Sequence, residues 1–217
     1  MTAHFITFEG LDGSGKSTHL GRAVEWMEAQ GLSVVTTREP GGTRIGTAIR
    51  QVFLDMERKE MDPGVELLLM FADRRQHLTE IIDPALDAGR WVISDRFSDS
   101  TRAYQGGGRG ISSQLIDAVD ELATGHRRPF RTLLFDLPAD QARNRGASSQ
   151  RRQEGAVDRL DAEALAFYER VRERFLELAK GEPQRFRVID SSGTIENTWR
   201  QTQAALEGIL REAAALG

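Results

Sequence analysis

The chain has 217 residues and a formal charge of −4, with 29 Lys and Arg against 33 Asp and Glu, a length suited to one sizeable core and a single domain over 1–217. That balance gives no electrostatic case for nucleic acid or an acidic membrane surface, so any bound anion must be met by a local cluster of basic side chains. Zero cysteines exclude disulfides, thiolate metal sites and cysteine nucleophiles; with no apolar run near the roughly 20 residues that span a bilayer and no leader pattern in Met-Thr-Ala-His-Phe, a cytoplasmic location is expected.

Five short apolar, β-rich runs recur at residues 5–8, 33–37, 91–94, 132–135 and 186–189, with helical patterns between them. The alternation predicts an α/β fold, a five-stranded parallel sheet flanked by helices on both faces, with ligands at the carboxyl ends of the strands. The first run leads into Gly10-Leu11-Asp12-Gly13-Ser14-Gly15-Lys16-Ser17-Thr18, which fits the phosphate-binding template of a P-loop NTPase fold. Its glycines let backbone N–H groups surround an anion, Lys16 places a cation on the β and γ phosphates, and the Ser17 hydroxyl suits the Mg2+ that travels with a nucleoside triphosphate. The helix that follows carries Leu20, Ala23, Val24 and Met27 at core spacing and ends near Gly31.

The second run meets Arg38-Glu39-Pro40-Gly41-Gly42-Thr43, a loop that reads either as part of a site or as a surface turn with a solvated ion pair. Helical patterns cover 45–54 and 64–86; by itself Phe71 reads as packing, and Arg74 or Arg75 as solvated. The third run ends in Asp95-Arg96, an acid able to hold a metal-bound water and orient Lys16 beside a cation for a second anion, with a structural ion pair as the bland alternative. Residues 98–110 are polar and glycine-rich, and are expected to be flexible, outside the core and able to close over a ligand. After a helix near 113–122 and the fourth run, residues 143–159 hold five arginines among small and polar residues, a pattern that beside a triphosphate site reads as a closing lid. A helix over 162–179 precedes the last run, residues 190–193 could contact the base of the triphosphate, and a final helix starts at Ile195.

A phosphate loop does not identify the acceptor. The combination of Phe8-Glu9-Gly10 through Ser17, Thr37-Arg38-Glu39-Pro40-Gly41-Gly42-Thr43, Asp95-Arg96-Phe97 and Ala103-Tyr104-Gln105-Gly106-Gly107-Gly108-Arg109-Gly110 closely resembles the bacterial thymidylate kinase family, in order and spacing, over essentially the whole chain. The resemblance implies transfer of the γ-phosphate of Mg-ATP to dTMP, giving ADP and dTDP for dTTP synthesis. It assigns ATP to Gly10, Leu11, Asp12, Gly13, Ser14, Gly15, Lys16, Ser17, Thr18 and Arg145, and the metal to Ser17 and Asp95. It assigns dTMP to Asp12, Glu39, Pro40, Arg50, Arg74, Arg96, Ser100, Thr101, Tyr104 and Gln105, with Met70 or Phe71 against thymine. Catalysis falls to Lys16, Asp95 and Arg96 and, because Leu11 to Ser14 hold no arginine, to lid arginines: Arg151 and Arg152, with Arg145 and Arg159 also candidates. A homodimer through helices near 65–74 and 111–122 is implied as well. The rival readings are a kinase for another nucleoside monophosphate or a deoxynucleoside, and a nucleotide-dependent switch or scaffold.

Overall fold

The computed structural model describes residues 3–58, 60–147, 159–160 and 162–216. Strands β1 (Phe5–Gly10), β2 (Val34–Arg38), β3 (Trp91–Asp95), β4 (Arg131–Asp136) and β5 (Phe186–Asp190) form a parallel sheet in the order β2-β3-β1-β4-β5. The helices are α1 (Lys16–Ala29), α2 (Arg44–Leu54), α3 (Pro63–His77), α4 (Asp83–Asp87), α5 (Ser98–Thr101), α6 (Ser113–Thr124), α7 (Ala139–Ala147), α8 (Leu165–Gly181) and α9 (Ile195–Leu216). Each expected apolar run is a strand. The chain adds β2 and β3 on one side of β1, then β4 and β5 on the other, so β1 stands where the winding reverses, the place where open α/β sheets take ligands.

Alternation along β1 decides what each face of the sheet carries. Ile6 and Phe8 pack with Met27 of α1 and Leu206 and Ile209 of α9. Phe5 faces the opposite way, against Leu78, Ile82 and Phe97, and Thr7 and Glu9 share that face. A polar pair inside a sheet must be satisfied locally, and Thr7 Oγ1 meets Thr132 Oγ1 of β4 at 2.9 Å. Helix starts follow their caps: Thr43 Oγ1 accepts from Gly46 N at 2.9 Å for α2, and Asp62 Oδ1 accepts from Gly64 N at 2.7 Å for α3, with Pro63 in the first turn.

Two expectations fail. The helical pattern over 64–86 is not one α-helix: α3 widens into a π turn at Leu78–Ile82 before α4, whose Pro84 has no N–H to continue the ladder. The stretch 98–110 is not outside the core either. It forms α5 and then a π-helical segment, Arg102–Gly108, in which Ala103, Tyr104, Gln105 and Gly108 are buried. Its glycines serve close approach: a Cβ at Gly107 would stand 2.7 Å from Arg174 Cβ and 2.9 Å from the Arg170 carbonyl, both on α8. The Arg-rich segment begins as helix, residues 143–147 closing α7, while 148–158, with Arg151 and Arg152, lie outside the described residues.

Candidate active site

Loops after β1, β2 and β3 converge at the carboxyl edge of the sheet. In the first, Gly10, Gly13 and Gly15 have φ of 136°, 84° and 91°, a region that suits glycine; a Cβ on Gly10 would strike the Phe135 carbonyl, and one on Gly13 the Ala142 carbonyl. Lys16, at the start of α1, folds back so that Nζ donates to the carbonyls of Gly10 at 3.0 Å and Leu11 at 2.9 Å. Burial, then the charge of Arg96, lowers its pKa, so an arriving phosphate would relieve a desolvated cation. Ser17 Oγ lies 3.5 Å from Asp95 Oδ2, and Asp95 Oδ1 is buried without a hydrogen-bond partner among the described residues.

After β3 the chain turns through Arg96 at φ 75°, a left-handed conformation that costs a non-glycine residue about 1 kcal/mol or more. Neighbours hold it there. Its N–H donates to the Phe8 carbonyl at 3.0 Å, and Ser94 Oγ donates to its carbonyl at 2.7 Å. The guanidinium then reaches Gly10 O at 3.1 Å, Ser100 Oγ at 2.9 Å, Asp12 Oδ1 at 2.9 Å and Tyr104 OH at 3.2 Å. Beneath it, Glu9 accepts from Phe97 N at 2.7 Å and Ser100 Oγ at 2.6 Å. Burial, then the charge of Asp99, pushes the Glu9 carboxyl up to about 8.

Each side chain of α5 is fastened to a different neighbour. Ser98 donates to Asp120 of α6 at 2.6 Å, Asp99 pairs with Arg185 at 2.6 Å, Ser100 meets Glu9 of β1, and Thr101 accepts from Arg74 of α3 at 2.9 Å. A four-residue helix has little stability of its own, so these bonds define where Ser100 and Thr101 stand.

The loop after β2 is held from α3. Glu39, fully buried, lies between Arg74 Nε and His77 Nδ1, each 2.9 Å away, and Asp73 Oδ1 accepts from Gly41 N at 3.0 Å. Burial, then the charge of Glu39, pushes Asp73 up to about 6. This loop is therefore no surface turn with a solvated pair, and Arg74 is no solvated mid-helix residue: an arginine kept from water needs these partners.

Between these loops lies a cleft whose wall mixes charged, hydroxyl and apolar side chains, the kind of lining that orients a small polar ligand. Of the residues expected at the acceptor, Asp12, Glu39, Pro40, Arg50, Met70, Arg96, Ser100, Thr101, Tyr104 and Gln105 line it. Phe71 and Arg74 do not. One residue along a helix is a turn of about 100°, so Met70 faces the cleft while the Phe71 ring lies 4.8 Å from the Arg74 guanidinium and packs with Leu67, Ile116 and Ala123. Arg74 stands behind the wall, bound to Glu39 and Thr101, which are part of it. Phe53, Leu54 and Leu160 also line the cleft and were not foreseen. Phe53 and Leu54 follow Arg50 at i+3 and i+4, a spacing that could have found them; Leu160, beyond the Arg-rich segment, carries no local signal.

The described arginines of that segment separate. Arg145 donates to the carbonyls of Ser191 at 2.8 Å and Ser192 at 3.3 Å, in the loop after β5. Arg159 is buried, donating to Glu66 Oε2 at 2.6 Å and to the Phe53 carbonyl at 3.3 Å, on the cleft side of the molecule.

Residues 8–201 match the family model for thymidylate kinase. Thymidylate kinase from Cupriavidus necator is 47% identical over 197 residues, covering 90% of this chain and 93% of that protein; the one from Desulfosudis oleivorans is 45% identical over 207 residues, covering 94% and 97%. The crystal structure of thymidylate kinase from Ehrlichia chaffeensis superposes with a TM-score of 0.75 at 35% identity, covering 95% of this chain and 99% of that one.

Proposed function

This chain belongs to the thymidylate kinase family, and on that footing we propose how its own residues divide the work. It is an ATP-dependent nucleoside monophosphate kinase that transfers the γ-phosphoryl group of ATP to dTMP, giving ADP and dTDP. The observation that carries the division is Arg96, one hydrogen bond from Gly10 and Asp12 on the phosphate-loop side and one from Ser100 and Tyr104 on the cleft side. In this reading the dTMP phosphate lies against Arg96 and Arg50, the sugar near Asp12 and Tyr104, and the base toward Met70 and Gln105. Its phosphate oxygen attacks the γ-phosphorus in line, so the protein supplies positioning and charge and no nucleophile of its own.

Lys16 and the amides of 10–18 take the β and γ phosphates, and Arg145 with the loop after β5 takes the adenine. Ser17 and Asp95 would hold Mg2+: a hydroxyl and a carboxylate are hard oxygen donors of the right kind, and Asp95 Oδ1, without a partner among the described residues, supports the fit. When bound, the ion offsets charge on the phosphates. Arg151 and Arg152 are assigned to the transferring phosphoryl group on the sequence argument alone. The single catalytic domain is supported by the one sheet, and pairing with a second copy across α3 and α6 by the exposed Leu68, Leu115 and Leu122. No helix of the described residues is long and apolar enough to cross a membrane, and we assign the enzyme to the cytoplasm.

Initial rates with Mg-ATP and each of dTMP, dUMP, dCMP and thymidine test the assignment. dTMP is expected to give the highest kcat/KM, and preference for thymidine would overturn it.

A further inference from the structure

Glu66 of α3 is fully buried and does not line the acceptor cleft. Three donors converge on its carboxylate: Gln105 Nε2 at 2.7 Å and Arg109 Nε at 3.2 Å on Oε1, and Arg159 Nη2 at 2.6 Å on Oε2. Burial alone would raise its pKa, but the hydrogen bonds from Gln105 and Arg159 and the charge of Arg109 outweigh it and hold the group below its ordinary value. Glu66 is thus an ion that can only accept. Its arginines are themselves fixed, Arg109 over the Phe167 ring at 4.8 Å and Arg159 through its backbone N–H to the Leu54 carbonyl at 3.1 Å, so the carboxylate has one orientation.

An acceptor-only neighbour decides which end of an amide turns toward it. The Gln105 –NH2 group donates to Glu66, and with that end taken the carbonyl is the end left to serve the cleft that Gln105 lines. We propose that Glu66 is a specificity-determining positioning residue: by holding the Gln105 amide with its oxygen toward the acceptor base, it makes the cleft select a pyrimidine monophosphate that carries an N3–H and reject one whose N3 is a bare acceptor. The proposal rests on the cleft being the dTMP site. Thymine and uracil bear hydrogen at N3 and satisfy the carbonyl, whereas cytosine would set two lone pairs against each other, a buried mismatch of the kind that discriminates by orders of magnitude. An unrestrained glutamine amide could turn over and serve either base, since its two ends are nearly alike in shape.

The experiment compares kcat/KM for dTMP, dUMP and dCMP in the wild type, Glu66→Gln, Gln105→Leu and the double variant. Glu66→Gln keeps an acceptor for Arg159 but adds an –NH2 group that lets Gln105 turn. The dTMP:dCMP and dUMP:dCMP ratios should both fall about tenfold or more, the scale of one hydrogen bond, with no further fall when Glu66→Gln is added to Gln105→Leu. A uniform loss on all three substrates, with the ratios unmoved, would mark Glu66 as merely structural and overturn the proposal. So would a ratio change that persists without Gln105, or ratios that Gln105→Leu leaves intact. A wild type inactive on dTMP would instead fail the reading beneath it. If Glu66→Gln does not fold, the 15N-labelled side-chain amide of Gln105 in the wild type decides: slow proton exchange before nucleotide is added supports the restraint, and fast, averaged amide protons refute it.

Discussion

Arg96 and Asp12 meet at 2.9 Å, joining the turn after β3 to the phosphate loop. The pair is partly exposed and adds little stability; its consequence is to hold a guanidinium at the border between donor and acceptor sites. Arg96→Ala should raise KM for dTMP by about tenfold or more, the loss of a charge-assisted hydrogen bond, and KM for ATP by much less. Equal increases in the two Michaelis constants would show that Arg96 does not face the acceptor.

Lys16 offers a different separation, between turnover and folding. Its charge serves the transition state, so Lys16→Ala should lower kcat by about 10²–10³, as for other preorganised electrostatic groups. Stability should change little: the loss of two bonds to the Gly10 and Leu11 carbonyls is offset by no longer burying a cation. Thermal melts within about 5 °C of wild type, alongside that kinetic loss, are the expected result; a kcat within a factor of a few would remove Lys16 from the mechanism.

Gly107 sets two effects of opposite sign against each other. In an exposed helix, replacing Gly with Ala stabilises by about 1 kcal/mol. Here the new methyl meets the Arg170 carbonyl at 2.9 Å and Arg174 Cβ at 2.7 Å, and overpacking against backbone costs about 1–3 kcal/mol. Overpacking should win, so chemical denaturation of Gly107→Ala should show net destabilisation, with a higher KM for dTMP as Tyr104 and Gln105 shift. A stabilised variant would mean that α8 yields and the glycine run is looser than it stands.

What could be read from residues alone follows the range of the forces involved. The strands, the phosphate loop and the Asp95-Arg96 turn rest on local pattern and special backbone geometry, so the sequence displayed them. Residues 98–110 misled because glycine signals either freedom or close contact, and only α8 lying against Gly107 and Gly108 distinguishes the two. Glu66 and Arg159 were invisible as a pair for a similar reason: their bond joins positions 93 apart. The same holds for Glu39 with Arg74 and His77, whose burial no local window reports.

Met70 and Phe71 differ by one helical step and should fail in different ways. Phe71→Ala removes a ring packed among Leu67, Ile116 and Ala123 and should cost stability by about 3–5 kcal/mol, with any effect on dTMP passing through Arg74. Met70→Ala opens the cleft wall and should raise KM for dTMP while leaving KM for ATP near its starting value. Denaturation and KM measured on both variants check this; a larger dTMP effect from Phe71→Ala in a folded protein would return that ring to the cleft.

Glu9 makes stability depend on pH in the direction opposite to a salt-bridged carboxylate. Its folded pKa, about 8, lies above its ordinary value of 4.5, so between those values the folded chain holds a proton that the unfolded chain has released. Stability must then fall as pH rises through that window, by at most about 1.4 kcal/mol per pH unit from this group. Asp73, raised from 3.8 to about 6, adds a slope of the same sign at lower pH, and His4 and His19, both lowered from 6.5, add one of opposite sign, so Glu9 is read between about pH 6.5 and 8 as a difference from a variant lacking its carboxyl. Glu9→Gln carries no titrating proton and can still bond to Phe97 and Ser100, so the wild type should lose stability relative to it across that interval, as read from urea unfolding at several pH values. Parallel curves for the two proteins would mean that Glu9 is ionised in the folded state, paired with Arg96 rather than holding a proton beside Asp99.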